Sequence, residues 1–288
     1  HMAQTETRMA EHPVVLCLQD TTELDFNGQD MDGLGRLSYE AQRGMYLHPT
    51  YVVTPQRLPL GIVDAWMWAR PLEISESQRW IEGYARLAER AGHLPATRLV
   101  YVADREADIL ELMQRAHALA HPADYLLRAQ HNRCLPQGGK LWPAVLAATP
   151  LGDIEFTLPE RTNRPARSVR QTLYARPVDL PDGQGGMMPV TCLIARETNV
   201  PKGQKAVEWR LLTNRVVATL EEAAQLIDWY RCRWEIETLF HVLKNGCRVE
   251  SLQLGHVRKL ELALAIYLVV AWRLAHLTRL GRILPELP

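Results

Sequence analysis

Hydrophobic and polar positions change their rhythm twice along this chain. Up to about residue 130, short apolar runs alternate with stretches of helical period; from 131 to 217 only short strand-like alternations recur; from 218 the helical period returns. Pro13 to Gln19, PVVLCLQ, predicts a buried strand that delivers Asp20-Thr21-Thr22 at its end. Residues 25 to 42, with Asn27-Gly28, Gly33 and Gly35, predict a loop. RGMYLHPTYVVT and PLGIVDAWMWAR, parted by Pro55-Gln56-Arg57, predict a hairpin that pairs with the first strand. Ser75 to Ala91 predicts a helix with Ser75 as N-cap and Gly92 at its C-terminal end. RLVYVA, residues 98 to 103, is another compact strand, and Asp104 follows it at the start of a helix reaching about Leu119. Asp124 to Ala129 predicts a fifth strand.

Three strands, helix, strand, helix, strand is the order of a ribonuclease-H-like α/β fold, a mixed sheet flanked by helices. In that fold the first and fourth strands lie side by side, so Asp20 and Asp104 are expected as neighbours. Taken singly, each aspartate has a plainer reading: a turn opener for Asp20, a helix N-cap for Asp104. The Pro- and Gly-rich segment 131 to 217, with IEFTL, SVRQTLYARPVDL, MPVTCLIARET and VEWRLLT, predicts a β-rich insertion with one short helix over Lys140 to Ala148. The expected division is therefore a tail at 1–12, core at 13–130, insertion at 131–217 and the rest of the core at 218–288. His1-Met2 is read as a cloning remnant.

The stretch Asp228 to Arg248, DWYRCRWEIETLFHVLKNGCR, carries the candidate chemistry. On one helix, Tyr230, Arg233, Glu237, His241 and Lys244 fall within a strip about 80° wide, with Trp229, Ile236, Leu239, Phe240 and Leu243 on the adjoining flank. A carboxylate between cations suits a metal ion and a polyanion. A solvated face with a supporting Arg233–Glu237 pair is the plainer alternative. Residues 161 to 176 hold five arginines and no acid, which suggests phosphate contacts, or else an arginine-rich surface loop.

Composition narrows the partners. Zero formal net charge argues against a surface that is basic throughout and leaves room for a local basic groove. The five scattered cysteines show no zinc-like spacing and read as reduced, mostly buried thiols of a cytosolic protein. Leu262 to Trp272, the longest apolar run, is too short to span a bilayer and reads as a packed core helix, part of a long helix over Leu260 to Leu280.

The spacing Tyr230-x(2)-Arg233-x(3)-Glu237-x(6)-Lys244 resembles the signature of bacterial DDE transposases of the insertion-sequence-four family, the group that includes the Tn-five type. Asp20-Thr21-Thr22 and Asp104-Arg105-Glu106-Ala107-Asp108 resemble its two upstream acidic motifs. Asn163 to Arg167, Pro201 to Gly203 and Trp209 to Thr213 are similar to stretches of its insertion. The resemblance covers roughly residues 14 to 280, without the flanking end-recognition and dimerisation domains.

It implies that Asp20, Asp104 and Glu237 hold two Mg²⁺ ions, with Mn²⁺ able to substitute, as oxygen ligands favour. The reaction it implies is cut-and-paste DNA transposition through hydrolysis, hairpin formation and strand transfer. Tyr230, Arg233 and Lys244 would then hold phosphates, with Arg105, Arg164, Arg167 and His241 as further DNA contacts. His241 stands where a lysine is expected. Trp209 would stack a flipped base, unless it is a core residue of the insertion. The implied partners are transposon-end and target DNA, bound by a homodimer on the bacterial nucleoid, in the cytoplasm and away from membranes. A ribonuclease-H-like nuclease, or a transposase-derived binder without catalysis, are the competing readings.

Overall fold

The computed structural model describes residues 1–70, 75–158, 160, 165–284 and 286. They form two compact units, one of residues 1–103 and 232–288, the other of residues 104–231.

The first unit is built on a mixed sheet. Strand β1 (Val14–Gln19) pairs antiparallel with β4 (Arg43–Val53) and parallel with β6 (Arg98–Ala103). β4 also carries β2 (Thr22–Asp25), β3 (Gly35–Arg36) and β5 (Pro59–Trp68). The β4–β5 hairpin and the β1–β6 neighbours stand as the apolar runs imply. Val15 to Leu18 and Leu99 to Val102 have no exposed surface, and such uninterrupted apolar runs suit strands covered on both faces. Each buried aliphatic side chain there contributes about 1.5–3 kcal/mol.

β2 and β3 lie in the segment expected to be loop. Their sequences are short and polar, and it is the exposed backbone of the long β4 that recruits them. The first residues, expected as a tail, form helix α1 (Met2–Met9). Thr5 and Met9 are fully buried, and Arg8 donates from Nε to Leu60 O at 2.6 Å. Helix α2 (Glu76–Ala91) starts at Ser75, whose side chain accepts from Gln78 N. Gly83 allows α2 to approach β1, because a Cβ at that position would lie 2.2 Å from Gln19 Oε1.

The second unit opens with a 3-10 turn over Arg105–Ala107, then α3 (Leu110–Ala118) and β7 (Asp124–Arg128). After α4 (Leu141–Leu146) come β8 (Gly152–Leu158), β9 (Arg167–Pro181), β10 (Met187–Glu197) and β11 (Glu208–Thr213). β8, β9, β10, β11 and β7 pair antiparallel in that order. The unit closes with α5 (Leu220–Arg231).

The single helix expected over Asp228 to Arg248 is instead interrupted. α5 ends at Arg231, α6 runs Trp234–His241, and a wide π turn covers Val242–Gly246. No glycine or proline lies between Leu220 and Lys244 to announce the break. At the break, Glu235 N bonds Cys232 O and Ile236 N bonds Arg233 O, the tighter three-residue pattern. Cys17, Cys192 and Cys232 are buried, whereas Cys134 is exposed. Burial pushes the Cys17 and Cys192 thiols up to about 12.

The last helix, α7 (Val257–Ile283), is longer than its apolar run and long and apolar enough to cross a membrane by length and composition. It is also not a fully packed core helix. Leu260, Leu264, Leu268, Ala271 and Trp272 are buried, Trp272 Nε1 donates to Pro59 O at 3.2 Å, and Leu262 and Ile266 face outward. Two neighbouring leucines should therefore respond differently in denaturant unfolding. Leu264→Ala is expected to cost about 2–5 kcal/mol, and Leu262→Ala less than about 0.5 kcal/mol.

Candidate active site

The register of β1 and β6 places Gln19 opposite Ala103, so both parallel strands end at the same level. Asp20 is the next residue after one and Asp104 the next after the other. In the first unit, Asp20 is joined to Glu237 by Arg233. The guanidinium donates from Nη1 to Asp20 Oδ2 and from Nη2 to Glu237 Oε1, each at 2.8 Å. The Arg233 side chain is only 6% exposed, against 22% for Asp20 and 57% for Glu237. Burying an arginine is tolerable only when its charge is matched, and here two carboxylates from opposite ends of the chain match it. Asp20 Oδ1 accepts from Thr21 N at 2.9 Å, which holds both oxygens of that carboxylate.

Beneath Asp20 lies a buried polar network that sequence reading missed. Gln19 donates from Nε2 to Thr50 Oγ1 at 2.6 Å, and its Oε1 accepts from Tyr101 OH at 2.9 Å. The same Oε1 stands 3.1 Å from His48 Nε2, and His48 Nδ1 stands 2.8 Å from Thr21 Oγ1. With Gln19 as acceptor, neutral His48 carries its proton on Nε2 and accepts a hydrogen bond from the Thr21 hydroxyl at Nδ1. Burial, with Arg79 adding to it, pushes His48 down to about 3. The only signal in the sequence is a glutamine at the end of an otherwise apolar strand.

In the second unit, Tyr230 is buried in α5 and its hydroxyl donates to Asp104 Oδ1 at 3.3 Å. Asp104 Oδ1 also accepts from Arg105 N at 2.7 Å, so the N-cap reading holds as well. Arg105 is exposed beside it. His241 and Lys244 follow Glu237 in α6 and the π turn. His241 is exposed, with Nδ1 3.0 Å from Asn245 Nδ2, and Lys244 Nζ lies 3.9 Å from Glu250 Oε1.

Three arginines of the run 161 to 176 have partners within the second unit. Arg161 and Arg164 lie outside the described residues. Arg167 forms an ion pair with Glu197, whose carboxylate is fully buried. Arg167 beside it, with a backbone hydrogen bond from Val207, holds the Glu197 carboxyl below the usual range. Arg170 pairs with Glu155 at 2.5 Å, and Arg176 donates to Ala144 O at 3.0 Å. These three arginines are committed within the unit. Trp209 is 4% exposed and stacks on Phe156 at 5.5 Å between ring centres, which makes it a packing residue of the β-rich unit rather than an open platform.

The donor chemistry suits a hard divalent cation, because carboxylate oxygens are its preferred ligands, and Asp20 and Glu237 already converge on a positive group. Among the described residues, no group of three His, Cys, Asp or Glu is gathered closely enough to hold a metal ion.

In the first unit the arrangement is thus two carboxylates, one following a strand and one on a helix, with a buried guanidinium between them. The family model described as the transposase DDE domain matches residues 81–273, and the chain belongs to that family. Asp104 and Glu237 fall within the match and Asp20 precedes it. Among solved structures, the fold is similar to that of piggyBac transposase in its cryo-EM synaptic complex with hairpin DNA, with a TM-score of 0.51 and 8% identity. That likeness covers 95% of this chain and 49% of the other, so this chain spans about half the length of the transposase it matches.

Two measurements separate structural from functional roles here. Arg167→Ala should lower unfolding stability by about 3–5 kcal/mol, the cost of leaving a buried carboxylate unpaired; an arginine that only met DNA would leave stability unchanged. His48 binds its proton more weakly folded than unfolded, so its contribution to stability falls as pH drops from about 6.5 toward 3. Within that window the loss is about 1.4 kcal/mol per pH unit, and His48→Asn should remove that slope in urea unfolding measured at successive pH values.

Proposed function

We propose that the chain is the catalytic core of a DNA transposase of the bacterial insertion-sequence-four, Tn-five type, with Asp20, Asp104 and Glu237 as its acids. The observation that carries this reading is the joining of Asp20 to Glu237 through Arg233, which gathers two of the three acids from distant parts of the chain. The common end of β1 and β6, with an aspartate next on each, supports the place of Asp104. Family membership and the piggyBac-like fold support the class. The architecture is read as a ribonuclease-H-like core, 13–130 and 218–288, around a β-rich insertion at 131–217.

The three acids would hold two Mg²⁺ ions, or Mn²⁺ in their place, which supply activation of the attacking oxygen and stabilisation of the leaving one. The protein's own groups do the positioning. Thr21 N and Arg233 orient Asp20, Tyr230 orients Asp104, and half-buried Lys244 with exposed His241 and Arg105 would meet phosphates. Each step forms one phosphorus–oxygen bond and breaks one. A water oxygen attacks at the transposon end and the 3′ oxygen leaves as a hydroxyl. That hydroxyl attacks the opposite strand to give a hairpin, water reopens the hairpin, and the 3′ hydroxyl then attacks target DNA. A base-stacking role for Trp209 requires Phe156 to part from it. The proposed partners are DNA and a second copy of the chain in a synaptic dimer, in the bacterial cytoplasm.

The test is cleavage of a labelled transposon-end duplex with Mg²⁺, Mn²⁺ or EDTA, resolved on a denaturing gel. Metal-dependent nicks and hairpins are expected, and EDTA should abolish both. Asp20→Ala and Glu237→Ala should reduce cleavage to background while DNA binding persists. Nicks without hairpins would indicate a nuclease, and binding without any product would indicate a non-catalytic binder.

A further inference from the structure

We propose that Arg233 is a built-in counter-cation of the acidic site, and that its guanidinium and a divalent ion compete for the carboxylates of Asp20 and Glu237. This rests on the reading of those residues as metal ligands. Arg233 is a permanent charge that cannot be shed by deprotonation. It is buried, and its two terminal nitrogens are divided between the two acids rather than both given to one. Such a fork bridges two carboxylates as a cation does, and it relieves the repulsion that two facing acids would otherwise meet. A divalent ion arriving on the same acids would face the guanidinium at close range, since Asp20 Oδ2 and Glu237 Oε1 are the oxygens Arg233 already holds.

Two consequences follow from this competition. Without metal, Arg233 keeps the acids together and folded in place. With metal, the guanidinium must let go of at least one carboxylate, and it then stands as a cation beside the acids, where a phosphate is an available partner. Arg233 sits at the interruption before α6, where the helix is held by three-residue hydrogen bonds. The charge exchange is thus placed at a joint of the chain and not within a regular helix.

The experiment compares the full chain with Arg233→Gln and Arg233→Lys, with Mn²⁺ titrations followed by electron paramagnetic resonance and thermal unfolding in EDTA and in Mn²⁺. Arg233→Gln should bind Mn²⁺ at least about tenfold more tightly than wild type, as a neighbouring arginine shifts a carboxylate's proton affinity by about 1–3 log units. The same variant should unfold at a lower temperature in EDTA and recover more than wild type when Mn²⁺ is added. Arg233→Lys keeps the charge without the fork, so its Mn²⁺ affinity should lie between the two. It carries the test if Arg233→Gln does not fold. Equal or weaker Mn²⁺ binding by the folded variants would overturn the proposal. Absence of binding in wild type and variants alike, equal to an Asp20→Asn/Glu237→Gln baseline, would overturn the metal-ligand reading beneath it.

Discussion

The parallel pairing of β1 with β6, Gln19 opposite Ala103, is the constraint on which the candidate site depends. A strand slip of one residue turns every side chain to the other face. Asp20 would then lose its bond to Arg233, and Gln19 would leave the pocket it shares with Thr50, His48 and Tyr101. The buried runs on both strands resist that slip, because each would have to move its apolar set. Register is therefore held by the hydrophobic core, and the site draws its geometry from it.

Buried charge is handled by two different means in the two units. Arg233 is matched by Asp20 and Glu237, and Arg167 by buried Glu197. His48, in contrast, is kept neutral by burial and links the Thr21 hydroxyl to Gln19, accepting from the first and donating to the second. The first two depend on ion pairing, the third on desolvation. Of the three, the Arg233 pairing alone involves residues whose carboxylates are partly open to solvent, and that opening is what makes an exchange of cations feasible there.

Much of this was legible in the chain. Compact apolar runs marked β1, β6 and the β4–β5 hairpin, and the strand-end positions of Asp20 and Asp104 followed from them. The four-residue spacing of Arg233 and Glu237 announced their pair. Arg233 to Asp20 did not announce itself, because its partner lies far away in sequence. The partners of Arg167 and Arg170 were hidden for the same reason, because Glu197 and Glu155 come from other strands. The interruption before α6 has no Gly or Pro to mark it, and β2 and β3 exist because β4 offers an edge, not because their own sequences favour strands.

The central proposal is that Asp20, Asp104 and Glu237 serve together as metal ligands. Anomalous diffraction from crystals grown with Mn²⁺ tests it most directly. Manganese within about 2.2 Å of carboxylate oxygens from all three residues, with Arg233 withdrawn from at least one of its acids, is the predicted result. Manganese bound elsewhere, or bound without Asp104, would contradict it.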